Sequence, residues 1–229
     1  MTPLFTLAPG IDLILASASP RRRRFLEEWG LPFTLFRPKG VEPPPAPGES
    51  PEHYARRAAA AKALAAADGT RARRNAGCEA HRPQKGRTLP PEALILGADT
   101  VVALDGDILG KPRDARDALD MLIRLAGHAH EVISAVCLVL PGGREKILSD
   151  TSRVFFHPWP KAVLSAYACS DEPADKAGAY AVQGMGAFLV QRIEGAFSTV
   201  VGLPLTPLAG LLLDEGLMSP AGCRGKIPS

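Results

Sequence analysis

A short apolar run, Leu13 to Ala16, passes without a loop into Ser17-Ala18-Ser19-Pro20 and then into four consecutive arginines, Arg21 to Arg24. Ser19 is a good N-cap and Pro20 suits the first helical position. Phe25, Leu26 and Trp29 recur at helical spacing, and Gly30 supplies a stop. A strand feeding a capped helix points to layered α/β architecture. The start of such a helix leaves backbone N–H groups unpaired and carries partial positive charge, so it attracts anions. Basic residues in its first turn oppose the dipole, which a purely structural helix gains by avoiding. The preferred reading is therefore an anion site. Ser17 and Ser19 supply hydroxyl donors, and Arg21 and Arg22 grip phosphate oxygens in a bidentate fork. Arg23 and Arg24 are read as exposed.

The remainder alternates in the same way. Phe33 to Phe36 reads as a strand, and the proline-rich stretch from Pro43 to Pro51 as an exposed connection. Ser50 and Pro51 open an Ala-rich helix running to about Ala67, followed by a basic solvated loop over Asp68 to Glu92. Leu94 to Leu96 and Val101 to Leu104 read as two strands bracketing Gly97-Ala98-Asp99-Thr100, with a turn at Asp105-Gly106. Asp114 caps a helix, and Val132 to Leu140 pairs with Ile147 to Phe156 across Pro141-Gly142-Gly143. A helix over Lys161 to Ala168, a strand over Ala187 to Ile193 and a helix from Thr206 to Glu215 follow. Residues 11–216 are expected to form one α/β domain with a mixed sheet, and 217–229 a frayed tail.

Composition removes several classes. No apolar run approaches the ~20 residues of a membrane helix, and Met1 to Ile11 lacks a basic start followed by an apolar core. A cytoplasmic protein that makes no membrane contact is expected. Cys78, Cys137, Cys169 and Cys223 are far apart and read as reduced thiols. Cys78 and His81 form only half of a zinc site. A net charge of +3 is too mild to argue nucleic-acid binding.

Other candidates are single residues. Asp99 ends an apolar run, where a carboxylate can hold a divalent cation or orient an attacking water; a turn-forming Asp before Thr100 is equally compatible. Lys111 sits in a constrained Gly110-Lys111-Pro112 turn without P-loop spacing. Lys62 interrupts the Ala-rich helix and can snorkel to solvent, and Glu42 alone is unremarkable.

Taken in order, these segments resemble the Maf family of nucleoside triphosphate pyrophosphatases. The carriers are Ser17-Ala18-Ser19-Pro20-Arg21-Arg22, Gly97-Ala98-Asp99-Thr100-Val101-Val102 and Gly110-Lys111-Pro112. Further along come His130-Glu131-Val132, Asp175-Lys176-Ala177-Gly178-Ala179-Tyr180 with Gln183-Gly184, and Val200-Val201-Gly202-Leu203-Pro204-Leu205. The resemblance implies a Maf/ITPase-like α/β fold, with an elongated mixed sheet, flanking helices and two lobes around a central cleft. It implies hydrolysis of a nucleoside triphosphate to the monophosphate and pyrophosphate with Mg²⁺ or Mn²⁺. By the same resemblance Asp99 is the general base, Asp99 and Glu42 are metal ligands, and Arg21, Thr100 and Gln183 bear on substrate choice. Ser17, Ser19, Arg22, Lys62 and Lys111 line the cleft as substrate-binding positions.

The stretch from Asp175 to Gly184 looks like the branch acting on dTTP and UTP. A Gln amide offers both donor and acceptor to an imide edge. The alternatives are the 7-methylguanosine triphosphate branch and a septum-formation or nucleic-acid-binding regulator. A homodimer is compatible with such enzymes. Departures from the family pattern are Pro43 where a second acid is common, Ser134 where threonine is common, Ser198-Thr199, and the longer basic segment 68–92.

Overall fold

The computed structural model describes residues 3–38, 42–75 and 93–222. In chain order the elements are β1 (Phe5–Leu7), β2 (Asp12–Ala16), α1 (Pro20–Trp29), β3 (Phe33–Phe36), α2 (Pro51–Asn75), β4 (Ala93–Leu104), β5 (Asp107–Leu109) and α3 (Ala115–Leu125). There follow β6 (Ala129–Val139), β7 (Glu145–Phe156), α4 (Lys161–Ala168), β8 (Val190–Glu194), α5 (Phe197–Val201), α6 (Leu205–Asp214) and β9 (Met218–Pro220). The main sheet has the order β3-β2-β4-β6-β7-β8, with β5 on β4. β2 is parallel to β3 and β4, and the other pairings are antiparallel. A mixed sheet with flanking helices is the expected class.

Alternation along β4 and β6 builds the cores. On one face Leu94, Leu96 and Ala98 of β4 join Val136 and Leu138 of β6 in a core closed by residues of α1 and α6. Farther along the same face, Val102, Leu104 and Val132 enter a second core with residues of α3 and α4. Between them lie Thr100 and Ser134, which are direct cross-strand partners. A polar band thus parts two apolar cores, and this is the physical origin of the two lobes. The opposite face carries Ile95, Val101, Ala103 and Ile133 against Ala55, Ala59, Ala63, Ala66 and Ala67 of α2. These alanines let the helix lie close to the sheet. Gly97 completes the approach, because a Cβ there would stand 2.5 Å from the Ala59 carbonyl oxygen and 2.6 Å from the Ala63 nitrogen.

Five expectations need correction. The strands proposed on either side of Gly97-Ala98-Asp99-Thr100 are one twelve-residue strand, because β6 pairs with it from Ile95 through Ala103. The Ala-rich helix runs past Ala67 to Asn75; 76–92, with the rest of the expected basic loop and the Cys78–His81 pair, lies outside the described residues. Ser19 occupies the N-cap position of α1 but makes no side-chain cap bond. Instead the Ser17 hydroxyl accepts the Ser19 N–H at 3.1 Å. The strand expected over Ala187 to Ile193 begins only at Val190, after a 3₁₀ turn over Met185–Leu189. Finally, the segment after Gly216 is not frayed over its described part. β9 pairs antiparallel with β1, an element whose three residues offered too little pattern to read. Residues 223–229 lie outside the description. Cys137 and Cys169 are free thiols.

Candidate active site

β2 accompanies β4 only as far as the Ala16–Gly97 pair, and β5 joins the same strand only from Val102. Asp99 is therefore not at the end of its own strand. It lies just past the end of β2, where the sheet opens beside β4. Asp99 and Thr100 are consecutive, so they leave β4 on opposite faces.

On the α2 face, the Lys62 ammonium donates to Asp99 Oδ1 at 2.6 Å and to Glu42 Oε1 at 2.5 Å. The Lys62 and Asp99 side chains are only 13% and 10% exposed and Glu42 is 52% exposed, so the inner pair is shielded in a way that surface ion pairs are not. Lys62 does not snorkel idly. Partial burial alone would raise the Glu42 carboxyl, but the Lys62 hydrogen bond and the charges of Lys62, Lys111 and Arg22 bring it below the ordinary value. Lys111 itself is exposed, and its turn is tied down by the Gly178 N–H donating to the Gly110 carbonyl at 3.0 Å.

On the other face, Arg22 is buried and almost fully engaged. Its Nε donates to the Gly202 carbonyl (2.9 Å), one terminal nitrogen to Ser17 Oγ (3.1 Å) and the Ala98 carbonyl (2.8 Å), and the other to Thr100 Oγ1 (2.9 Å). Burial lowers its basicity, and the charges of Asp99 and Glu42 support it while Arg21 opposes it. The expected phosphate grip of Arg22 is thus turned inward: it joins the β2–α1 turn, the open edge of β4 and the turn after α5. The four arginines divide their tasks. Arg23 and Arg24 pair with Glu27 (3.7 Å) and Glu28 (2.7 Å) on the helix surface. Arg21 instead lines a pocket, its buried Nε without a hydrogen-bond partner among the described residues.

That pocket is a partly open cleft with a volume of ≈ 50 Å³, room for part of a ligand rather than a whole nucleotide. Its polar lining is Arg21, Thr100, Lys176 and Gln183; its apolar walls include Val102, Val132, Tyr180 and Val200. Glu172 holds the Gln183-Gly184 loop by accepting the N–H groups of Met185 (3.0 Å) and Gly186 (2.6 Å) and the Tyr167 hydroxyl (2.8 Å). Ser19 is partly exposed at the start of α1. The structure therefore brings Ser17, Arg22 and Thr100 into one network, Glu42, Lys62 and Asp99 into another, and Arg21 and Gln183 to the pocket. Sequence reasoning missed Glu172, Tyr180 and Lys176 as site residues. No spacing ties the first to its loop; the other two stand beside Gln183 in the 175–184 stretch, but far in sequence from Arg21, Thr100 and Val132 across the pocket.

The two carboxylates meet on one ammonium, and each has a second oxygen. That set suits a hard divalent cation sharing its coordination with phosphate oxygens. Among the described residues no group of three or more His, Cys, Asp or Glu forms a protein-only cage, and no helix is long and apolar enough to cross a membrane.

A family model described as Maf-like protein matches residues 12–215. A dTTP/UTP pyrophosphatase of Nitratidesulfovibrio vulgaris is 50% identical over 204 residues, covering 89% of this chain and 88% of that protein. The dTTP/UTP pyrophosphatase of Oleidesulfovibrio alaskensis is 47% identical, covering 93% and 89%, and that of Methylococcus capsulatus is 42% identical, covering 96% and 99%. Among solved structures, a nucleoside-triphosphatase / dITP/XTP pyrophosphatase of Mycobacterium abscessus aligns with 16% identity, covers 90% of this chain and 95% of its own, and has a TM-score of 0.40, a likeness too loose to add to the assignment. With the family pattern spanning β2 to the end of α6, the chain belongs to the Maf family.

Proposed function

We propose that the protein hydrolyses dTTP and UTP to the monophosphate and pyrophosphate. The observation that carries this reading is the Asp99–Lys62–Glu42 cluster placed one residue away from Thr100 and its pocket. One group of residues is built for charge and proton handling, the other for holding a flat, polar-edged ring. The family membership and the names of its relatives support the same substrate class.

In this mechanism the water oxygen forms a bond to the α-phosphorus and the bond from that phosphorus to the α–β bridging oxygen breaks. Asp99 receives or directs the water proton. Lys62 fixes the carboxylate, while Lys111 offsets part of the charge of the polyphosphate. Glu42 and Asp99 would hold Mg²⁺ or Mn²⁺, which supplies charge neutralisation when bound. Pyrophosphate release measured across dTTP, UTP, 7-methylguanosine triphosphate and the purine triphosphates tests the assignment; dTTP and UTP are expected to lead. Asp99→Asn is expected to lower kcat by ~10²–10⁴. Unchanged turnover in that variant, or a leading purine substrate, overturns the reading.

A further inference from the structure

Hydroxyl groups carry one proton each, and that count gives direction to a chain of contacts behind the pocket. Ser134 Oγ donates to the Thr199 carbonyl at 2.7 Å, which spends its only proton. The same oxygen lies 2.8 Å from Thr100 Oγ1, a separation that requires a proton between the two oxygens. Thr100 must supply it. Thr100 also accepts from Arg22 at 2.9 Å, an N–H that can never act as an acceptor. The Gly202 carbonyl, 3.4 Å away, is the weaker competitor for the Thr100 proton. The order of donation is therefore Arg22 to Thr100 to Ser134 to the Thr199 carbonyl. Thr100 keeps one lone pair and no proton for the pocket that it lines.

We propose that Ser134, which is fully buried and absent from the pocket lining, is a positioning residue that sets base specificity by locking Thr100 as a hydrogen-bond acceptor. Of the other polar lining groups, Arg21 and Lys176 are donors only, and the Gln183 amide can turn either its donor or its acceptor to a ligand. A fixed acceptor at Thr100, set among donors, complements the central N–H of an edge that reads carbonyl, N–H, carbonyl, as the imide of uracil or thymine does. Cytosine presents an unprotonated ring nitrogen at the central position and meets the Thr100 lone pair with its own. The inference rests on the proposed pyrimidine triphosphate activity and deepens it.

The experiment compares kcat/KM for UTP and CTP in the wild type, Ser134→Ala and Ser134→Thr. The ratio is independent of the fraction of each variant that folds. Wild type is expected to favour UTP. Ser134→Ala frees the Thr100 proton to turn into the pocket, and the UTP/CTP ratio is expected to fall about tenfold, the scale of one misdirected hydrogen bond; Ser134→Thr restores a hydroxyl and keeps the wild-type ratio. A Ser134→Ala ratio equal to wild type overturns the inference alone. Absence of UTP turnover in the wild type removes the functional reading as well.

Discussion

At the residue scale, Arg22 shows how little a basic side chain's role follows from its charge. Four of its five N–H donors end on protein acceptors, two of them buried main-chain carbonyls. Lysine retains the charge but cannot fork. Arg22→Lys is expected to lower unfolding free energy by about 2–3 kcal/mol, since a buried acceptor left unpaired costs ~1–3 kcal/mol; denaturant titration reads this directly, and a loss below about 1 kcal/mol contradicts the clamp. His130 offers a second test. It is buried with its Nε2 2.8 Å from the Tyr180 hydroxyl, and burial pushes its pKa down to about 4. The unfolded chain, with an ordinary value near 6.5, binds the proton more readily. Its contribution is thus complete above pH ~6.5 and is lost as pH falls toward 4, by up to roughly 3 kcal/mol. Melting curves of the wild type and His130→Gln between these limits should converge as the pH falls; a constant gap refutes the assignment.

At the element scale, the contact of α2 with β4 sets the charged half of the site, because it fixes the distance from Lys62 to Asp99. Gly97→Ala places a methyl against the Ala59 and Ala63 backbone, and backbone cannot rotate away. A cost of about 1–3 kcal/mol is expected from overpacking, together with a loss of kcat as Lys62 withdraws. Full activity in a folded variant means that α2 has slack. This contact also marks where sequence reasoning stops. The strand-to-helix junction at Ser17 to Arg22, β3 and α4 were all legible, since their patterns are local. β4 was split because Gly97 and Asp99 lack strand character; pairing with β6 overrides propensity. The direction of Arg22 and the Glu172 support of the Gln183 loop depend on partners brought together only by the complete fold.

At the scale of the whole molecule, the two cores are not independent. β4 and β6 run unbroken through both, so neither lobe can unravel without stripping strands from the other. Calorimetry is expected to show one transition whose van't Hoff and calorimetric enthalpies agree; two resolved transitions mean that the polar band between the cores is a true hinge. The same continuity has a consequence for altering the protein. Asp99 and Thr100 are adjacent links of one rigid strand, yet they look out on opposite sides of it. Redesign of what the molecule accepts can therefore proceed on one side while the machinery on the other is left alone. Inserting or deleting a single residue upstream in β4 would swap the two sides at a stroke, which makes this stretch tolerant of changed letters and intolerant of changed length.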